Sequence, residues 1–385
     1  SVTGVLENFY GFIFRNQELK GNFNMNSNQI AVDDFMTTSE PTKAEAKGKT
    51  EAMKIPAFLN CSLTAKANTV LYDNLTLKDV SGKLIVKDQA VTLENVKTNI
   101  FGGQIGVNGM VSTKEKTPKF NMNLNLNQVN IAESFTQLDM LKKIAPIAGI
   151  INGKLNSTIK LSGNLDANEM TPDLKTISGD LLGQLLSTTV NAKNSTLLSA
   201  LSSNIKFIDM NKVNLNDIKA AVTFKDGKVN VKPFDIKYQD MKVTVAGTHG
   251  FDQLMNYNLK FDVPAKYLGS DINNLISKLT PANAAKLDNI PINAILGGSF
   301  SQPKISTDIK AATTTLVNNL AKQQKEQLIG KGTSALENLI NKNKKPADTS
   351  TTKTPVKKEE IKTKAKDLLN GILKKKEKPA TTTTP

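Results

Sequence analysis

The chain has 385 residues, of which 39% are hydrophobic and 5% aromatic, with no Trp; that is room for two or three ordinary domains or one elongated repeat structure. One His and one Cys exclude a Cys/His zinc site, a disulfide and any mechanism that needs more than one His. The net charge is +15, yet Arg15 is the only Arg, which counts against reading of nucleic-acid bases, where a bidentate guanidinium is preferred.

The charge is uneven. Residues 342–385 hold 13 Lys and 5 acids, a net of +8, so more than half of the excess sits in a tail. The chain starts at Ser1 without Met, and the expectation is a fragment or processed product, with any targeting segment upstream. No apolar run reaches the ~20 residues of a membrane span; the longest, Ile144 to Ile151, is interrupted by Pro146 and Gly149. Lone Cys61 fits a reducing compartment, or an exported protein that does without disulfides.

In chain order, residues 1–56 read as an amphipathic piece, short strands at Leu19–Met25 and Gln29–Phe35, and a polar linker over 37–53. From Cys61 the pattern takes period two. In 119–127, Phe120, Met122, Leu124 and Leu126 share one face and Asn121, Asn123, Asn125 and Asn127 the other, the signature of a strand with one apolar side. The same alternation runs through 154–165, through Met241, Val243 and Val245, and through Tyr257, Leu259, Phe261 and Val263. Turn residues at Lys87-Asp88, Gly102-Gly103 and Lys225-Asp226-Gly227 predict hairpins.

An internal repeat organises these strands. Set at an offset of 138, residues 82–109 fall on 220–247: Leu84, Val86, Val91 and Leu93 meet Val222, Phe224, Val229 and Val231, and Gly109 meets Gly247. Each copy continues with an alternating strand, a short helical stretch (131–145; 266–279) and a strand ending in a Gly turn. The units are expected at 57–172 and 173–310. Between them, 195–208 reads as a short amphipathic helix with Ser195 as N-cap. Residues 311–341 read as one or two helices broken near Gly330 and Gly332. Residues 342–385 form a Lys/Thr/Pro-rich tail, expected to be disordered apart from a basic amphipathic helix at 361–373. Its stripe of Ile361, Leu368, Leu369 and Ile372, followed by Lys374, Lys375 and Lys376, fits a membrane surface or a partner.

Catalytic chemistry has no foothold in this pattern. His249 reads as a turn residue between Gly247 and Gly250, and Cys61 as a packed side chain. There is no phosphate-binding loop and no GxSxG. The expectation is no enzyme, no catalytic residue, no metal and no cofactor. What remains is a long apolar face with few helices to cover it. Two arrangements answer that: a second sheet closing a sandwich, or a curled sheet whose inner face holds acyl chains. Burial is worth ~0.8 kcal/mol per CH₂, so a 16-carbon tail gains ~12 kcal/mol before ordering costs.

The run LYDNLTLKDVSGKLIVKDQAVTLENVKTNIFGGQIGVNGMV (71–111) with FNMNLNLNQVNIAESF (120–135) resembles the C-terminal region of AsmA-family proteins of the Bacteroidetes type. The run IKAAVTFKDGKVNVKPFDIKYQDMKVTVAGTHGFD (218–252) and GGSFSQPKI (297–305) resemble the repeat and closing strand of the same family. The resemblance spans about 57–310. It implies a repeating β-groove related to bridge-like lipid-transfer proteins. It also implies a periplasmic location behind an inner-membrane N-terminal anchor, and a part in phospholipid supply and outer-membrane assembly. No catalytic residues come with it. The expected fold is therefore mainly β: an elongated, curled antiparallel sheet forming a repeating groove, with a helical and disordered C-terminal tail. Phe120, Met122, Leu124, Leu126, Val243, Val245, Phe261 and Val263 would line the groove. Partners would be phospholipids, a membrane surface and outer-membrane assembly proteins, with no nucleic acid. The alternative is a non-enzymatic scaffold or chaperone-like factor for outer-membrane proteins, with a closed sandwich core and chains bound at a sheet edge.

Overall fold

A computed structural model describes residues 1–32, 53–190, 195–284 and 287–342. The chain is mainly β, and its strands form one open sheet of fifteen whose spatial order equals their sequence order. The strands are β1 (Val2–Glu7), β2 (Leu19–Ala31), β3 (Leu59–Tyr72), β4 (Leu75–Lys87), β5 (Ala90–Ile100), β6 (Gly103–Ser112), β7 (Lys119–Asn130) and β8 (Ile151–Asn164). They continue with β9 (Ser178–Val190), β10 (Lys219–Lys225), β11 (Lys228–Tyr238), β12 (Met241–Gly250), β13 (Met255–Val263), β14 (Ile290–Gly298) and β15 (Pro303–Thr307). The closed sandwich is not adopted, because a single sheet holds every described strand.

Three expectations are corrected. The pairs whose register is described are antiparallel except β2 with β3, which run parallel, Leu19 beside Leu59; the connection between them includes residues 33–52, outside the described ones. The short strands expected at Leu19–Met25 and Gln29–Phe35 join in one strand, β2, as far as Ala31, and residues 33–35 lie outside the described ones. β2 carries polar residues on one face from Lys20 to Asn28 and is preceded by β1, itself followed by helix α1 (Phe9–Arg15). The helix expected to break at Gly330 and Gly332 runs unbroken over Ile309–Lys342. A Gly inside a helix costs ~1 kcal/mol, which a long helix absorbs, and here the Thr333 and Ser334 hydroxyls donate to the Gly330 carbonyl. The tail helix at 361–373, with Ile361, Leu368, Leu369, Ile372 and Lys374–Lys376, lies outside the described residues.

The 138-residue offset carries the ladder as well as the side chains. The hairpin turns Asp88-Gln89 and Asp226-Gly227 both take positive φ at two successive residues, the geometry that matches strand twist. The bulge between Leu93 and Val96 on β5 falls on the bulge between Val231 and Phe234 on β11. Gly109 pairs with Met122, and Gly247 with Tyr257. A Cβ on Gly247 would stand 2.6 Å from the Cα of Tyr257, so only Gly lets the partner strand approach there.

The described residues divide into two compact units, one within 1–262 with 291–308, the other within 263–290 with 309–342. In the second, a core of Ala265, Ile272, Leu279, Leu316 and Leu320 gathers residues of α5 (Ser270–Ile276), α6 (Pro281–Ala284), α7 (Ile309–Lys342) and their connections. Gln324 Nε2 donates to the Leu275 carbonyl there at 2.7 Å. The first unit holds nearly the whole sheet, with α2 (Ile131–Gln137), α3 (Asp139–Ile144) and α4 (Thr196–Asn204). Asn130 caps α2 by accepting from the Glu133 N–H, and Ser195 caps α4 by accepting from Leu198.

Candidate functional site

The sheet builds its apolar face from directly opposed residues. From Phe23 on β2 the register runs through Leu63, Leu84 and Leu93 to Gly109 on β6. It continues through Met122, Leu161, Gly179, Phe224 and Val229 to His249 and Met255 on β13. One residue from each of twelve consecutive strands thus shares one face, over eleven steps of ~4.8 Å, ~53 Å of ladder. A second row runs beside it through Val107, Leu124, Ile159, Leu181, Val222 and Val231.

The two copies treat this face differently. In the first, Phe120, Met122, Leu124 and Leu126 are all half-buried. Phe120 packs on the cluster of Ile177, Phe224 and Val229, and Leu126 on that of Ile100, Phe101 and Val129. In the second, α4 and the chain after it face the strands. Phe207 meets Phe261 edge-on at 5.6 Å between ring centroids, and the Tyr238 hydroxyl accepts from the Asp209 N–H at 3.0 Å. Leu197 and Leu201 of α4, with Ile208 and Met210, enclose a cavity of about 310 Å³ against Val243, Val245, Leu259 and Phe261. Val263, the last residue of β13, is fully buried but does not line it. The structure therefore gathers Val243, Val245 and Phe261 at one cavity and spreads the other groove residues along the same face. The expectation that few helices cover this face fails for the second copy. The i, i+4 pair Leu197 and Leu201 was the available signal, since the apolar side of a short helix must meet something.

His249 is not the turn residue expected. It lies within β12, 5% exposed. Its Nε2 is 2.7 Å from the Ile144 carbonyl and its Nδ1 is 2.8 Å from the Tyr257 hydroxyl. A carbonyl only accepts, so Nε2 carries the proton and Nδ1 accepts from the phenol. Burial, the larger influence, holds this imidazole below its usual value, while the bond to Ile144 pulls the other way. Burial also pushes the Tyr257 phenol up. The ring stands edge-on to Phe300 at 5.3 Å. Both ring nitrogens are committed to structural bonds, and the polar atoms of Tyr238 and Tyr257 at the cavity are satisfied, leaving an apolar lining.

Cys61 is half-buried on β3, its Sγ 3.5 Å from the Leu19 carbonyl. Among the described residues no group of three His, Cys, Asp or Glu could hold a metal ion, and no helix is long and apolar enough to cross a membrane. Compared with family models, curated proteins and solved structures, the chain matches none of them.

Proposed function

We propose that the chain holds the acyl chains of phospholipids along the apolar face of its sheet. In this reading it works in the periplasm, anchored at the inner membrane, in lipid supply to the outer membrane. The observation that carries this is the apolar face: a row across twelve strands, half-buried through the first copy, and in the second copy an apolar cavity on the same sheet, lined by Val243, Val245 and Phe261. At ~0.8 kcal/mol per CH₂ kept out of water, such a face offsets the cost of taking a tail out of a bilayer, without any directed polar contact. The likeness of 71–135 and 218–305 to AsmA-family sequences supports the same reading, including a membrane surface and outer-membrane assembly proteins as partners. The test is native mass spectrometry of the full chain purified without detergent. Stoichiometric phospholipid is expected, lost in Leu124→Asp and kept in Asn123→Asp, whose side chain lies on the polar face; far-UV circular dichroism verifies that both fold. A folded, lipid-free protein that also takes up no fluorescent phospholipid would end the reading.

One observation favours the scaffold alternative without its sandwich. Ser1 and Asn26 exchange both backbone hydrogen bonds, so by the alternation of antiparallel pairs the N–H and C=O groups of Val2, Gly4 and Leu6 point away from β2. β1 is a sheet edge among the described strands, and Val2, Val5 and Leu6 are exposed there, features that template another strand. If the chain captures unfolded strands, a peptide of alternating aliphatic residues will slow hydrogen exchange at the amides of Gly4 and Leu6. Unchanged exchange removes this second reading.

A further inference from the structure

We propose that a cleft on the polar face of the first copy binds a neutral carbohydrate, apart from the apolar face and independent of the lipid reading. Lys78, Asn99, Gln104 and Asn127 stand in direct register on β4, β5, β6 and β7. Around the end of that row Asn74 comes from the β3–β4 turn, Gln128 from β7, and Glu133 and Gln137 from α2. Together they enclose a cleft of about 710 Å³.

The chemistry of this wall is specific. Apart from one Lys and one Glu, whose charges cancel, its polar side chains are chiefly carboxamides. A carboxamide both donates and accepts, as does a sugar hydroxyl, whereas an anion calls for surplus cations. Capacity is left over. The side chains of Asn127, Gln137, Lys78 and Glu133 have no hydrogen-bond partner among the described residues. Other bonds hold the wall in place: Asn99 Nδ2 donates to Asp79 at 2.9 Å and Asn74 Nδ2 to the Gln137 carbonyl at 3.0 Å. A register shift between Leu126 and Val129 leaves Gln128 at φ 53°, which turns that side chain out of the strand's alternation at the rim.

The second copy supplies the contrast. At the same ladder positions it carries Lys237, Lys242 and Asp262 in register, with Lys242 paired to Asp235 at 2.9 Å. The repeat therefore does not require amides there; the first copy has them without a demand from the fold.

The test uses the full chain and isothermal titration with maltotriose, cellotriose and chitotriose, with trigalacturonate and inorganic phosphate as anionic probes. At least one neutral trisaccharide should bind with a Kd of about 1 mM or tighter, weakened about tenfold or more in the double variant Gln104→Ala/Asn127→Ala. Binding should persist in Asn123→Ala, on the same face outside the cleft, and in Leu124→Asp, which reports the lipid reading alone. Added retention on vesicles of a glucosyl lipid, but not of phosphatidylcholine, assigns the sugar to a lipid headgroup; free-sugar binding alone assigns a soluble oligosaccharide. The proposal is overturned if no neutral trisaccharide binds, if the double variant binds as tightly as the parent, if an anionic probe is preferred, or if vesicles bind where free sugar does not.

Discussion

Leu124 and Leu259 occupy the same place in the two copies, two strands after matching bulges and opposite Val107 and Val245. Yet Leu259 is buried at 9% exposure, and Leu124 is only half-buried. The strands are not the cause. The difference is the insertion between the copies, where α4 and the chain through Met210 lie over the second face and have no counterpart among the described residues before the first. A shared ladder sets which side is apolar; the connections decide whether that side becomes core or remains a surface.

This contrast is open to direct attack. Phe261→Ala should cost about 3–5 kcal/mol in urea unfolding, because its ring is 1% exposed and braced by Phe207. Little or no loss would mean that the cover does not hold in solution. Leu259→Ala should cost about 2–5 kcal/mol and Leu124→Ala at most half as much; equal costs would erase the distinction between the copies. Removing the α4 cap with Ser195→Ala should cost about 1 kcal/mol and speed hydrogen exchange in α4 ahead of the strands. The smallest effect is a pH dependence. Because the folded-state pKa of His249 is depressed, the unfolded chain binds the extra proton first as pH falls through about 6.5. The stabilisation is complete above that value and is lost as pH drops toward the folded pKa. His249→Gln should flatten the melting temperature between about pH 7 and 5; an unchanged slope would show that the buried imidazole does not titrate with unfolding.

The sequence made β7, β12 and β13 legible because each alternates strictly and has one wet side. It concealed β9, where Leu181-Leu182 and Leu185-Leu186 break the alternation and Leu182 ends up exposed; only pairing with β8 and β10 makes that segment a strand. α4 was readable as a helix, but not what it would cover, since a short amphipathic stretch names no partner. His249 was misread because Gly on either side looks like a turn, whereas its burial depends on Ile144 and Phe300, distant in sequence. The groove residues were readable as a face. Their division between cavity and surface was not, being a property of the cover. The amides at 74, 99, 104 and 127 look like ordinary strand-end polarity until the ladder sets three of them side by side.

Strand order that equals sequence order also has a kinetic meaning. Every pairing joins chain neighbours, eight of the fourteen through connections of six residues or fewer, so little entropy is spent before most new strands gain their contacts. Such a chain assembles like a one-dimensional lattice, each strand stabilised by the one before it. The bond from His249 to Ile144 spans 105 residues and ties the second copy back across that lattice. Strands at the β1 edge can therefore open and close on their own while the covered half stays folded.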